Sequence, residues 1–70
     1  MEFRRIRDLR EDSDRTQQEV ADYLVMHTNV YRRYELGQRE IPVWAVIKLA
    51  KFYQVSTDYL LGLTDERKPL

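Results

Sequence analysis

Seventy residues allow one small domain, and a chain 43 % hydrophobic and 34 % charged is ordinary for a folded globular protein. With no cysteine there is no disulfide or thiolate-metal site to brace so small a core, which leaves helix packing and association with a second copy to stabilise it. No apolar run approaches the roughly 20 residues of a membrane span, and the opening MEFRRIRDLRE lacks the apolar core of a signal peptide, so a cytosolic chain with no membrane contact is expected.

Phe3, Ile6 and Leu9 recur every third residue and put an apolar stripe on a first helix. It closes near Arg10, at the polar cluster Glu11-Asp12-Ser13-Asp14. Thr16-Gln17-Gln18-Glu19 is a capping box that starts a second helix, whose apolar face is Val20, Ala21 and Leu24. After a break at Val25-Met26-His27 a third helix runs to Gly37, the residue suited to the left-handed conformation past a helix end. Stepping about 100° per residue places Thr28, Asn29, Arg32 and Arg33 within one arc of about 140°, with Tyr31 and Tyr34 nearly opposite. One face is suited to packing; the other carries side chains that hydrogen-bond base edges in a major groove.

Gln38-Arg39-Glu40 leads to Ile41-Pro42, where the proline restricts its predecessor and opens a fourth helix. Val43, Val46, Ile47, Leu49, Ala50 and Tyr53 cover more than a narrow stripe, which predicts a central helix touched by several others. Trp44 falls outside the tightest part of that pattern, either as cover for the core edge or as a partner surface. Ser56 caps a short fifth helix, Thr57-Asp58-Tyr59-Leu60-Leu61, which Gly62 ends. Residues 1–63 form the expected domain and 64–70 a loosely ordered polar tail. There is no internal repeat and no strand-like alternation, so the fold class is all-α with five helices.

Zero formal net charge weighs against nucleic-acid binding, since phosphate contacts supply most non-specific affinity. The distribution answers part of this, with Arg4, Arg5, Arg7 and Arg10 crowding the first helix, Arg32, Arg33 and Arg39 grouped in the middle of the chain, and Asp8, Glu11, Asp12 and Asp14 gathered before the helix pair. An enzyme has little support: the single His27 has no nucleophile and acid at useful spacing, the carboxylates suit a solvated face better than a metal site, and two glycines make no phosphate loop. No cofactor, metal or small-molecule ligand is expected.

From Ile6 to Gly62 the chain resembles the lambda-repressor-like (XRE-type) helix-turn-helix family of phage repressors and bacterial regulators. The resemblance rests on Thr16-Gln17-Gln18-Glu19-Val20-Ala21, on Arg33-Tyr34-Glu35 with Gly37, on Ile47-Lys48-Leu49-Ala50, and on Val55-Ser56 with Asp58-Tyr59-Leu60-Leu61-Gly62. It implies a five-helix domain that binds double-stranded DNA, commonly as a homodimer on a palindromic operator, with transcriptional repression as the expected activity. On the same resemblance Thr28, Asn29, Arg32 and Arg33 stand at or beside base-contact positions, while Arg10, Gln17, Gln18, Gln38 and Arg39 are placed on phosphates. Arg10 and Glu35 match a structural ion pair, and Trp44 and Thr57 are candidates for the dimer surface.

Four positions depart from the family pattern. Val25 stands where glycine or asparagine is usual, which implies either a strained turn or a different geometry. His27 replaces a Ser or Thr cap, Leu36 an asparagine that binds phosphate, and Arg15 an apolar packing residue. These departures and the neutral charge suit an alternative, a protein-interaction module of antitoxin or adaptor type that keeps the fold without using it on DNA.

Overall fold

The computed structural model describes residues 3–68. Its five helices are α1 (Arg4–Asp12), α2 (Gln17–Leu24), α3 (Thr28–Glu35), α4 (Val43–Tyr53) and α5 (Thr57–Leu60), with no strand among the described residues. The predicted capping box is formed at α2: the Thr16 hydroxyl accepts from the Glu19 N–H at 3.1 Å and the Glu19 carboxylate accepts from the Thr16 N–H at 3.0 Å. These bonds, the backbone one foremost, hold the Glu19 carboxyl below the usual range. Ser56 caps α5 by accepting from the Tyr59 N–H at 3.0 Å.

All five helices end in the same way. A residue at positive φ follows the last turn (Asp14, Val25, Gly37, Gln54 and Gly62), and the next N–H reaches back to a carbonyl five residues earlier, as Met26 does to Ala21 and Gln38 to Arg33. Only two of the five are glycine. Val25 takes the left-handed conformation outright, at φ 57° and ψ 52°, so the turn is strained rather than rebuilt. Its side chain is 84 % exposed and gains little from packing in return.

Ile6 and Leu9 of α1, Val20, Ala21 and Leu24 of α2, Tyr31 of α3, Ala45, Val46, Leu49 and Ala50 of α4, and Val55 and Leu60 form one core. The face of α4 differs in part from the sequence expectation. Ala45 is fully buried, whereas Val43 is 74 % and Ile47 43 % exposed, because the flank they share lies beyond the reach of the helices that cover the rest. With Phe3, Ile41, Thr57 and Leu61 they line an open apolar depression. Trp44, next to them on α4, is half-exposed, with the Lys48 ammonium 5.8 Å from its ring centre.

Arg15 occupies its apolar position without a clash, because its guanidinium lies 4.3 Å from the centre of the Phe52 ring. The segment after α5 is more firmly held than a loose tail. Arg5 donates to the carbonyls of Tyr59 and Thr64 and to Asp65, the Ser56 N–H donates to the Arg67 carbonyl at 3.1 Å, and the Arg5 and Arg67 guanidiniums flank the Tyr59 ring. The last two residues of the expected tail, 69 and 70, lie outside the described residues.

Candidate nucleic-acid interface

Packing of α2 against α3 fixes the orientation of the polar face. Tyr31 is fully buried and Tyr34 half-buried, which turns the opposite side of α3 outward. Asn29, Arg32 and Arg33 are exposed there, and Thr28 is half-buried at the first position of the helix. Asn29 and Arg33 border two shallow depressions, one shared with His27, Thr28 and Val30, the other with Arg32, Leu36 and Gln38. Thr28, Asn29, Arg32, Arg33 and Gln38 therefore share one surface. His27 precedes the helix without a side-chain cap, and Leu36 is 47 % exposed beside the same surface.

Beneath this face lies a buried ion pair. Arg10 donates through Nε to Glu35 Oε2 at 2.6 Å and through Nη2 to Oε1 at 3.1 Å, and its Nη1 donates to the Arg15 carbonyl at 3.0 Å. Gln17 Nε2 adds a donor to Glu35 Oε1 at 3.3 Å. The carboxylate thus ties α1, α2 and α3 together. Burial alone pushes the Glu35 carboxyl up, but Arg10, the neighbouring Tyr31 hydroxyl and Gln17 outweigh it and hold the group below its usual range. Burial foremost, then the Glu35 carboxylate, pushes the Tyr31 phenol well up, and burial raises that of Tyr53 to about 12.

Gln18 sits at the α2–α3 junction, where Nε2 donates to Asp22 Oδ1 at 2.8 Å and Oε1 accepts from the Thr28 hydroxyl at 2.6 Å. Sequence reasoning missed this contact between helices, since helical spacing pairs Gln18 with Asp22 but carries nothing about Thr28. Arg39 is exposed in the loop before α4. Trp44 and Thr57 belong to α4 and α5 and are not part of the α3 surface.

Five of the acids are engaged within the protein: Glu11 with Arg7, Glu35 with Arg10, Asp65 with Arg5, Glu19 in its cap and Asp22 with Gln18. Arg32, Arg33 and Arg39 form no ion pair among the described residues. The residues lining the two depressions on α3 include Arg32 and Arg33 and no acid, so a neutral chain carries a locally basic face there. No helix among the described residues is long and apolar enough to cross a membrane.

A family model described as Helix-turn-helix matches residues 6–60. The chain is 35 % identical over 69 residues to the uncharacterized HTH-type transcriptional regulator YobD of Bacillus subtilis, covering 99 % of this chain and 62 % of that protein. It is 35 % identical over 65 residues to the HTH-type transcriptional regulator ImmR of the same organism, covering 93 % and 51 %. To the cryptic phage CTXphi transcriptional repressor RstR of Vibrio cholerae it is 45 % identical over 51 residues, covering 73 % and 46 %. The chain thus spans about half to three-fifths of the length of these relatives. No solved structure gave a significant match. Five helices in this order, with α2 and α3 joined by a tight turn and the match running from α1 to α5, settle the family: the chain belongs to the helix-turn-helix family, with the lambda-repressor-like fold.

Proposed function

We propose that the protein is a sequence-specific transcriptional regulator that binds double-stranded DNA with α3 in the major groove and acts as a repressor. The observation that carries this is the outer face of α3, where Asn29, Arg32 and Arg33 stand exposed together, the two arginines without an acidic partner among the described residues. Arginine suits guanine O6 and N7, and asparagine suits adenine N6 and N7. Names of relatives support the same activity, the Vibrio cholerae protein being called a transcriptional repressor.

In this proposal Thr28, Asn29, Arg32 and Arg33 meet bases, and Arg10, Gln17, Gln18, Gln38 and Arg39 set the register on phosphates. Glu35 already fixes the Arg10 and Gln17 side chains, which lowers the entropy lost on contact. Two copies pair through the α4–α5 side, where Thr57 lines the apolar depression and Trp44 is half-exposed. Such a homodimer reads a palindromic operator with half-sites about one helical turn, roughly 34 Å, apart. The protein works in the cytoplasm, where the DNA is.

Selection of bound sequences from a random duplex pool, with the wild type and Arg33→Ala, tests the proposal. A palindromic motif is expected, with discrimination at one base weakened in the variant by about 1–3 kcal/mol. A folded protein that enriches no sequence at low salt refutes it. Native mass measurement on the selected duplex tests pairing, and a single copy bound there refutes the dimer.

A further inference from the structure

We infer that Asp22 and Gln18 act as a positioning relay that makes the Thr28 hydroxyl a pure hydrogen-bond acceptor toward DNA, so that Thr28 selects adenine or cytosine over guanine or thymine. The inference rests on α3 lying in the major groove, as proposed above.

Gln18 and Asp22 lie four residues apart on α2, with Gln18 Nε2 donating to Asp22 Oδ1 at 2.8 Å. The shape of an amide does not distinguish its oxygen from its nitrogen, but the carboxylate does: it has acceptors only, so the NH2 group must face it. Gln18 Oε1 is thereby turned to Thr28 and accepts the hydroxyl proton at 2.6 Å. A hydroxyl has one proton, so only lone pairs remain on Thr28 Oγ1. In the major groove adenine N6 and cytosine N4 are donors, whereas guanine N7 and O6 and thymine O4 are acceptors. An acceptor set against an acceptor leaves both unpaired in a desolvated interface. Thr28 opens α3, the end of a recognition helix that reaches base edges, so its proton direction bears on sequence preference. Gln18 and Asp22 are positioning residues in this scheme, although the second N–H of Gln18 remains for a phosphate.

The test is selection from a random duplex pool with the wild type and four variants, each checked for folding by its melting curve. Thr28→Val loses discrimination at one position and so marks the base that Thr28 faces. There the wild type is expected to prefer adenine or cytosine by about threefold to tenfold, the effect of one hydrogen bond of ordinary net strength. Gln18→Met frees the hydroxyl proton and relaxes that preference, and Asp22→Asn, which offers Gln18 both a donor and an acceptor, weakens it. Asp22→Lys reverses the relay: the ammonium takes Gln18 Oε1, the amide NH2 turns to Thr28, and the hydroxyl donates outward. Guanine or thymine is then preferred at that position, with the other positions unchanged.

A wild-type preference for guanine or thymine at the marked position overturns the inference while leaving the groove proposal intact. Folded Gln18→Met and Asp22→Lys variants that keep the wild-type preference do the same, as does a Thr28→Val motif identical to the wild type's. A wild type that enriches no motif overturns the groove proposal and this inference with it.

Discussion

Replacing Arg10 with methionine leaves the Glu35 carboxylate, whose side chain is 2 % exposed, buried with only the Gln17 amide and the neighbouring Tyr31 hydroxyl beside it. Stranding one charge of a buried pair costs about 3–5 kcal/mol. The total stability of a chain this short is roughly 4–10 kcal/mol, so Arg10→Met is expected to lower the melting temperature by at least about 12 °C. Its pH dependence carries the sharper signature. In the wild type Glu35 titrates below its unfolded value, so its contribution is complete above the unfolded carboxylate range and is lost as pH falls through the lowered folded value. In Arg10→Met the largest contribution opposing desolvation is gone and Tyr31 and Gln17 are left against it, so the folded value rises, and stability increases as pH falls from neutral toward 5. Removing both charges, in Arg10→Met with Glu35→Leu, recovers more than half of the loss, because a well-packed apolar pair replaces an ion pair at little net cost. Thermal melts of the wild type and the two variants between pH 4 and 8 decide the matter, with buffers of roughly constant ionic strength. A loss under about 1 kcal/mol, or an unchanged pH slope, refutes the account of Glu35 as the tie between α1, α2 and α3.

Val25→Gly removes a left-handed cost of about 1–2 kcal/mol against an entropic penalty of about 0.5–1 kcal/mol, so a gain of about 0.5 kcal/mol in chemical denaturation is expected; destabilisation contradicts the strained turn. Arg5→Met unfastens residues 64–67 from α1 and α5, and amide exchange at Ser56 is expected to speed up about tenfold, corresponding to the loss of roughly 1.4 kcal/mol of local protection; unchanged exchange there contradicts the fastening. Arg39→Gln is expected to weaken binding equally to all duplexes and to lower the slope of log affinity against log salt by about 1; an altered base preference instead assigns Arg39 to a base.

The parts of the fold that local residues dictate were legible in the sequence. Thr16 and Glu19, three residues apart, carry the start of α2, Ser56 the start of α5, and Gly37 and Gly62 the ends of two helices. The turn at Val25 was legible as a conflict between residue and geometry, which the fold resolves in favour of the geometry. Periodicity along α4 placed Val43 and Ile47 beside the core residues, but whether any element covers that flank depends on the rest of the chain. The ends of α1 and α4 at Asp14 and Gln54 carry no glycine, and the polar clusters Glu11-Asp12-Ser13-Asp14 and Gln54-Val55-Ser56 marked them instead. The Arg5 clasp on Asp65, the Arg15 contact with Phe52 and the Gln18 contact with Thr28 join residues that no local pattern connects.

That α3 reads a major groove is tested most directly by dimethyl sulfate protection on the selected duplex, since the reagent methylates guanine N7 in the major groove and adenine N3 in the minor. The account predicts protection of guanine N7 within each half-site, lost at one guanine in Arg33→Ala, with adenine N3 still reactive. Protected adenine N3 with freely reactive guanine N7 would contradict it.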